Sequence, residues 1–303
     1  PTIRLDIEIA EDLIEEVGRI YGYDHVEGHM PIVSIKRGEI SPKQRMEKEL
    51  RRRLEGMGLS QVITYSLVSE KEANLFTDKE TDDVVLLEPM SDDKKVMRKS
   101  ILPSLLKVWE YNVARKQNDI MIFEAGSVYT KEDGYHEEAK IAGLLYGTYF
   151  SNDWQQLRVK VDFYLLKGII ENILKYLGLN NRYQFKTTPI LKELHPGRSC
   201  AVLVDNDVIG YLGQVHPSIN KKEIYVFELS IDKLLSKKVR IIKFKETPKY
   251  PSIHKDLAFV MPKDMTSETV MNILKRVGGR YLSDLDVFDV YVGENVLENE
   301  KSV

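Results

Sequence analysis

An α+β fold built on a mainly antiparallel sheet is what this 303-residue sequence predicts. Three observations predict it. Short apolar runs at a period of two come in close succession, which marks half-buried strands in hairpins. Amphipathic helical runs interrupt them irregularly, instead of alternating one for one as a parallel sheet requires. Finally, Asp205-Asn206 stands between the strand-like runs Ala201–Val204 and Val208–Leu212, and those residue types at that spacing make a two-residue hairpin turn.

The composition, 43% hydrophobic and 30% charged, supports two or three domains with real cores. A formal net charge of -3 creates no general demand for nucleic acid, although a local basic patch binds RNA whatever the sum. The single cysteine, Cys200, excludes an internal disulfide or a zinc cage and points to a reducing compartment, here the cytoplasm. Apolar runs all fall short of the roughly 20 residues of a spanning helix. The chain enters a strand directly at Pro1 and stops at Lys301-Ser302-Val303 as another apolar stretch begins, so it reads as a piece of a longer protein.

At the start, Ile3, Leu5, Ile7 and Ile9 alternate with Arg4, Asp6, Glu8 and Ala10, predicting a strand with its acids outward. Leu13, Ile14, Val17, Ile20 and Tyr21 then recur at helical spacing. Asp12 is expected as the helix N-cap with Glu15 completing a capping box, and Gly22 as the stop. Residues 28–38 read as a linker. Ser41-Pro42-Lys43-Gln44 opens a helix with Ser at the N-cap and Pro at its first position. Met46, Leu50 and Leu54 fall on its buried side. Its basic outer face (Lys43, Arg45, Lys48, Arg51, Arg52, Arg53) is interleaved with Glu47, Glu49 and Glu55 and reads as solvated.

After Gly56 and Gly58 the pattern predicts a strand over Val62–Val68 and a helix capped by Ser69 and Glu72. It continues with a strand over Val84–Leu87, a helix over Leu102–Arg115, and strands over Ile120–Phe123 and Ile141–Tyr146. Next come a helix from Asp162 to Leu177 ended by Gly178, and strands over Arg182–Thr187, Ala201–Val204, Val208–Leu212 and Tyr225–Leu229. Residues 231–249, with Lys237, Lys238, Arg240, Lys243, Lys245 and Lys249, read as a basic connector. A strand Asp256–Met261, a helix Ser267–Val277 and a strand Tyr281–Val292 form half of a split βαβ module.

Few motifs carry chemistry. The chain lacks G-x-x-x-x-G-K-[ST], G-x-G-x-x-G and H-E-x-x-H. His195-Pro196-Gly197-Arg198 looks like a base beside a phosphate clamp, but it holds no orienting acid and no nucleophile, and Val215-His216-Pro217 repeats the His-Pro pair as a turn device. Cys200, among apolar neighbours, reads as packed and inert. The acids at the start leave two readings open. Asp12, Glu15 and Glu16 share one helical face, where like charges repel by roughly 0.2–0.5 kcal/mol per pair. A hard divalent cation would relieve that crowding, while first-turn capping and Arg19 at i+3 and i+4 account for much of it without one.

Several stretches together resemble a known family. "DLIEEVGRIYGYDHV" followed by Pro31 resembles the end of the winged domain of the bacterial phenylalanyl-tRNA synthetase beta subunit. "VMRKSILPSLLKVWEYNVARK", "IMIFEAGSVY", "DFYLLKGIIENILKYLG" and "LHPGRSCAVLVDNDVIGYLGQVHP" resemble its class-II-synthetase-like domain. "KYPSIHKDLAFVM" and "FDVYVGENVLENEKSV" resemble the start of its ferredoxin-like anticodon-binding domain. The resemblance implies the end of a winged domain over 1–30, a linker over 31–40, a non-catalytic synthetase-like domain over 41–235, a connector over 236–249, and half of the anticodon-binding module over 250–303.

It further implies a beta subunit of an alpha2-beta2 ligase that binds tRNA(Phe). ATP and phenylalanine are handled on the alpha subunit, and the editing site lies outside this stretch. A magnesium ion shared with the alpha subunit falls, by the resemblance, on Asp6, Asp12, Glu15 and Glu16. Candidates for tRNA contact, by stacking and by phosphate pairing, are Tyr250, Lys255, Arg280, Tyr281 and Tyr291, with Phe288 read as core. The chain departs from the family pattern at Glu88-Pro89, at His254-Lys255, and at Tyr291–Val296, where Val292 replaces an arginine. From chemistry alone, the competing reading is a magnesium-dependent phosphotransferase or nuclease using the same four acids, with His25 or His29 as base.

Overall fold

The computed structural model describes residues 3–34, 38–77, 81–187, 191–238, 244, 246–247, 249–294 and 296–303. The chain divides into two units, residues 1–241 and 242–303.

In the first unit the elements run α1 (Ala10–Tyr21), α2 (Pro42–Gly56), β1 (Ser60–Gln61), β2 (Leu67–Val68), α3 (Glu70–Ala73), β3 (Val96–Met97), α4 (Leu102–Val113), β4 (Ile120–Lys131) and β5 (Tyr135–Tyr146). They continue with β6 (Thr148–Asn152), β7 (Leu157–Lys160), α5 (Phe163–Tyr176), β8 (Tyr183–Lys186), β9 (Leu194–Val204), β10 (Asp207–Val215), β11 (Tyr225–Ser230) and α6 (Ile231–Ser236). Seven strands form one sheet in the order β1-β4-β5-β11-β10-β9-β8. Only the β1–β4 pair is parallel; the others are antiparallel, as the hairpin-rich sequence predicts.

Alternation along the strands sends apolar side chains to both faces, and both are covered. On one face Phe123, Ile141, Leu145, Val202, Leu212 and Phe227 pack with Leu50 and Leu54 of α2 and with Leu166, Ile170 and Ile173 of α5. On the other, Ile122, Leu144, Tyr211 and Val226 pack with Leu102, Leu105 and Trp109 of α4. The sheet can close this tightly because Gly143 lacks a side chain: a Cβ there would lie 2.2 Å from the Phe227 ring.

Several local signals act as read. The Ser41 hydroxyl accepts from Gln44 N–H while Gln44 Oε1 accepts from Ser41 N–H, a reciprocal capping box. Asp162 caps α5 by accepting from Leu165 N–H at 2.7 Å. Asp205 and Asn206 both adopt positive φ, 51° and 69°, the geometry of a tight hairpin turn between β9 and β10.

Other expectations are corrected. Residues 3–9 form turns instead of a strand, and Ile3 and Leu5 are 90% and 84% exposed, because no described segment lies alongside to take up a ladder. α1 begins at Ala10 with Ile9 at its N-cap, three residues earlier than read, so Asp12 sits inside it and not ahead of it. Of the expected strand Val62–Val68, Leu67–Val68 pairs with β3, while the residues in register with β4 are Ser60–Gln61, just ahead of it. Val84–Leu87 contributes a single bridge, Val85 to Val96. β4 and β5 run much further than read and form one long hairpin, and the hairpin β6–β7 was not foreseen. His195–Arg198 lies inside β9 and not in a turn. Leu194 pairs with Val215 and Ser199 with Gly213, so the four residues bulge out opposite Gln214. Ile231–Ser236 is helical, not connector. Of the basic connector, residues 239–243, 245 and 248 lie outside the described residues, as do 35–37 of the linker.

In the second unit β12 (Val260–Pro262), α7 (Ser267–Gly278) and β13 (Glu300–Ser302) form, with β12 and β13 antiparallel. α7 matches its predicted span, capped by Thr266. The two expected strands shrink. Asp256–Met261 pairs only near its end, and of Tyr281–Val292 only Tyr291 bridges, to Ser302.

Candidate functional site

The N-terminal acids begin with Asp12, at the third position of α1. Its Oδ2 accepts from the backbone N–H groups of Glu8 (2.8 Å) and Ile9 (2.9 Å). This satisfies donors that a helix start leaves orphaned. Asp6 and Glu16 are brought together by Arg4. Its Nε donates to Asp6 Oδ1 at 2.9 Å, and its Nη2 donates to Asp6 Oδ2 and Glu16 Oε1, each at 2.7 Å. Arg19 Nη2 donates to the other Glu16 oxygen at 2.6 Å. These arginine hydrogen bonds hold the Asp6 and Glu16 carboxyls at about 2. Glu15 is exposed on α1.

The structure therefore joins two of the four acids, through an arginine. Among the described residues no group of three or more His, Cys, Asp or Glu side chains is arranged around a metal position. The donor chemistry still suits magnesium, a hard cation that takes one or two carboxylates and keeps its waters. Asp6 and Glu16 converge on the Arg4 guanidinium, and Asp12 is committed to its backbone. The histidines offered as a base are poorly suited: His25 Nδ1 donates to Tyr21 O at 2.8 Å, and its ring rests against that tyrosine.

The second candidate surface lies on residues 249–303. Tyr250 and Tyr281 are 84% and 83% exposed, and Lys255 is exposed as well. The Arg280 guanidinium lies over the Tyr281 ring, 4.8 Å from its centroid, and donates to the Tyr281 hydroxyl at 2.6 Å. Tyr291 is half-exposed opposite Ser302. Phe288, read as core, is 78% exposed: the strand meant to bury it does not form. Of the five candidates only Arg280 and Tyr281 touch.

Two buried polar networks were missed. Arg98 and Glu124, each 3% exposed at the side chain, pair at 2.8 Å. Thr64 bridges them, donating to Glu124 Oε2 and accepting from Arg98 Nη1, while Arg98 Nε donates to Ser127 O. Glu228 accepts from the Ser100 hydroxyl (2.9 Å) and the Ile101 amide (2.7 Å) on one oxygen, and from Lys140 Nζ (3.0 Å) on the other. The Tyr211 hydroxyl lies 2.8 Å from that second oxygen. The signal was the run Arg98-Lys99-Ser100 set between apolar residues, where charges are buried only if paired. His195 and His216 do approach, with ring centroids 6.4 Å apart, but each Nδ1 accepts a backbone N–H two residues on, from Gly197 and Ser218. Burial pushes the Cys200 thiol up to about 12, so it stays protonated and inert, as read. No described helix is long and apolar enough to cross a membrane.

Family models match along the chain in order. Residues 1–23 match the tRNA synthetase B5 domain, 26–231 the phenylalanyl tRNA synthetase beta chain CLM domain, and 248–303 the ferredoxin-fold anticodon binding domain. Among similar proteins are the phenylalanine–tRNA ligase beta subunits of Bacillus subtilis, 41% identical, and Bacillus licheniformis, 40% identical. Each match covers 100% of this chain and 38% of the relative, so the chain spans well under half the length of these proteins. A solved pyrrolysyl-tRNA synthetase from Desulfitobacterium hafniense is similar at 17% identity and a TM-score of 0.49, over 64% of this chain and 68% of that one. With its CLM-domain match running over residues 26–231, the chain belongs to the phenylalanyl-tRNA synthetase beta chain family.

Proposed function

We propose that this chain is the part of a phenylalanine–tRNA ligase beta subunit that supplies surfaces for assembly and tRNA docking, while bond formation takes place on the alpha subunit of an alpha2-beta2 enzyme in the cytoplasm. The observation that carries this reading is the sheet itself. Both faces are packed, and its buried charges, Arg98 with Glu124 and Glu228 with Lys140, are spent on one another. A catalytic face needs polar groups aimed at a reacting atom. The division into 1–30, 31–40, 41–235, 236–249 and 250–303 goes with this reading, as does magnesium held by Asp6 and Glu16 with Asp12 and Glu15 beside them. Such an ion supplies a charge clamp at the junction with the alpha subunit. On residues 249–303 the exposed rings of Tyr250, Tyr281 and Tyr291 would stack on unpaired bases, with Lys255 and Arg280 meeting phosphates.

The test is co-expression with a cognate alpha subunit, followed by sizing, phenylalanine charging and tRNA binding. The expected result is a stable complex, no charging by this chain alone, and tRNA(Phe) binding weakened about tenfold by Tyr281→Ala, since stacking on one base is worth roughly 1–3 kcal/mol. Phosphoester turnover by this chain alone that vanishes in Asp12→Ala would overturn it in favour of a metal-dependent phosphotransferase or nuclease.

A further inference from the structure

The chain has two tryptophans, and they stand in opposite surroundings. Trp109 is buried against the sheet with its ring edge-on to Tyr146, whereas Trp154 is 95% exposed. Trp154 lies in the turn of the β6–β7 hairpin, a two-stranded sheet of its own outside the seven-stranded one. Register divides that hairpin into two faces. Phe150 opposes Val159 and Asn152 opposes Leu157 on one; Ser151 opposes Arg158 and Thr148 opposes Lys160 on the other. Arg158 and Lys160 thus share a side, about 7 Å apart along the strand. Arg158 donates to the Thr148 hydroxyl at 3.2 Å, and among the described residues neither cation is paired with a carboxylate. The one acid of the hairpin, Asp153, sits in the turn.

A bare indole, two cations without a countercharge, and the amides of Asn152, Gln155 and Gln156 are the parts that hold single-stranded nucleic acid. A base stacks on the ring, phosphates meet the cations, and amides meet base edges. We propose that the β6–β7 hairpin is a second RNA-docking surface, on the first unit, where an unpaired stretch of tRNA stacks on Trp154 and passes its phosphates by Arg158 and Lys160. This rests on the tRNA-docking reading above. Charge complementarity decides for RNA over a protein partner: phosphates supply the countercharge that Arg158 and Lys160 lack, whatever the base sequence.

The experiment is a titration of this chain with tRNA(Phe), read by tryptophan fluorescence and by filter binding over a range of salt. Wild type is compared with Trp154→Ala, Trp154→Phe, Arg158→Gln/Lys160→Gln and Tyr281→Ala, and assembly of each with the alpha subunit is followed by sizing. Docking on the hairpin predicts quenching of the exposed indole in wild type, and affinity lowered about fivefold or more in Trp154→Ala. Trp154→Phe keeps a stacking face and should retain most of the affinity, a rescue not expected of a hairpin that has merely unfolded. The double Gln variant should flatten the salt dependence by about 1.4 in slope, from two contacts to a single strand. A single-stranded RNA oligonucleotide should quench the indole, and a duplex of the same length should not. If Tyr281→Ala weakens binding while Trp154→Ala does not, the hairpin surface is refuted and the tRNA reading stands. Loss of assembly with the alpha subunit in Trp154→Ala, at unchanged tRNA affinity, makes the hairpin a protein interface and overturns the proposal. Failure of wild type to bind tRNA(Phe) at all removes the tRNA reading and this surface together.

Discussion

Arg98 illustrates how a single side chain can be both indispensable and replaceable. Its guanidinium is buried against Glu124, and every contact it makes is to a group that needs it: the Glu124 carboxylate, the Thr64 hydroxyl and the Ser127 carbonyl. Gly126 makes room for it, because a Cβ at that position would lie 2.4 Å from Arg98 Nη2. Removing one partner strands a buried charge, which costs about 3–5 kcal/mol. Arg98→Met is therefore expected to destabilise the chain by that amount in urea unfolding, and Gly126→Ala by about 2–4 kcal/mol as it pushes the fork off its carboxylate. The double variant Arg98→Met/Glu124→Leu is expected to recover most of the Arg98→Met loss, since an apolar pair of similar volume leaves nothing unpaired. If the double variant is as unstable as the sum of its single changes, the ion pair does not govern this site. Nothing local in the sequence names Glu124 as the partner, because the two residues are 26 positions apart and meet only once β4 is laid down.

At the scale of elements, Glu228 joins four of them. From β11 it receives the hydroxyl and amide that open α4, the ammonium of Lys140 on β5, and the neighbouring hydroxyl of Tyr211 on β10. Glu228→Gln keeps the shape but turns an NH2 group toward donors, so its expected cost is about 2–4 kcal/mol, seen as a lowered unfolding midpoint with an unchanged m-value. An unchanged midpoint would mean that apolar packing alone seats α4. The elements legible in the sequence were those whose signal is local. Ser41 and Gln44, Asp162 and the Asp205-Asn206 turn each act within a few residues, and α2, α5 and the β9–β10 hairpin were placed accordingly. The misplaced elements depend on distant partners. Residues 3–9 alternate but find no described neighbouring strand, and 281–292 make a single bridge at Tyr291; a period of two records only which side faces inward, not what lies alongside. The candidate site divides the same way. The Asp12 contact is local and only its position was misjudged, whereas the grip of Arg4 on Glu16, 12 residues away, could not be read from spacing.

Across the whole molecule, apolar burial is very unevenly shared. Both packed faces of the sheet lie within residues 50–234, while among the described residues of the second unit the buried apolar side chain is Met261. Ile253, Leu257, Val260 and Phe288 there are 84%, 60%, 61% and 78% exposed. One buried side chain contributes about 1.5–3 kcal/mol, against a backbone ordering cost of roughly 1–2 kcal/mol for every residue fixed. Local opening in the second unit is therefore cheap, and in the first it requires breaking a two-sided core. Hydrogen exchange read by mass spectrometry is expected to show strong protection across β4, β5 and β9–β11, with exchange in 249–303 faster by orders of magnitude. Adding tRNA(Phe) is expected to slow exchange in 249–303 and leave the sheet unchanged, because a surface ordered by its ligand takes its protection from the bound state. Equal protection of the two units in the free chain would show that the second is stabilised by something other than its own core. Slowing confined to the sheet on addition of tRNA would place RNA docking on the first unit instead.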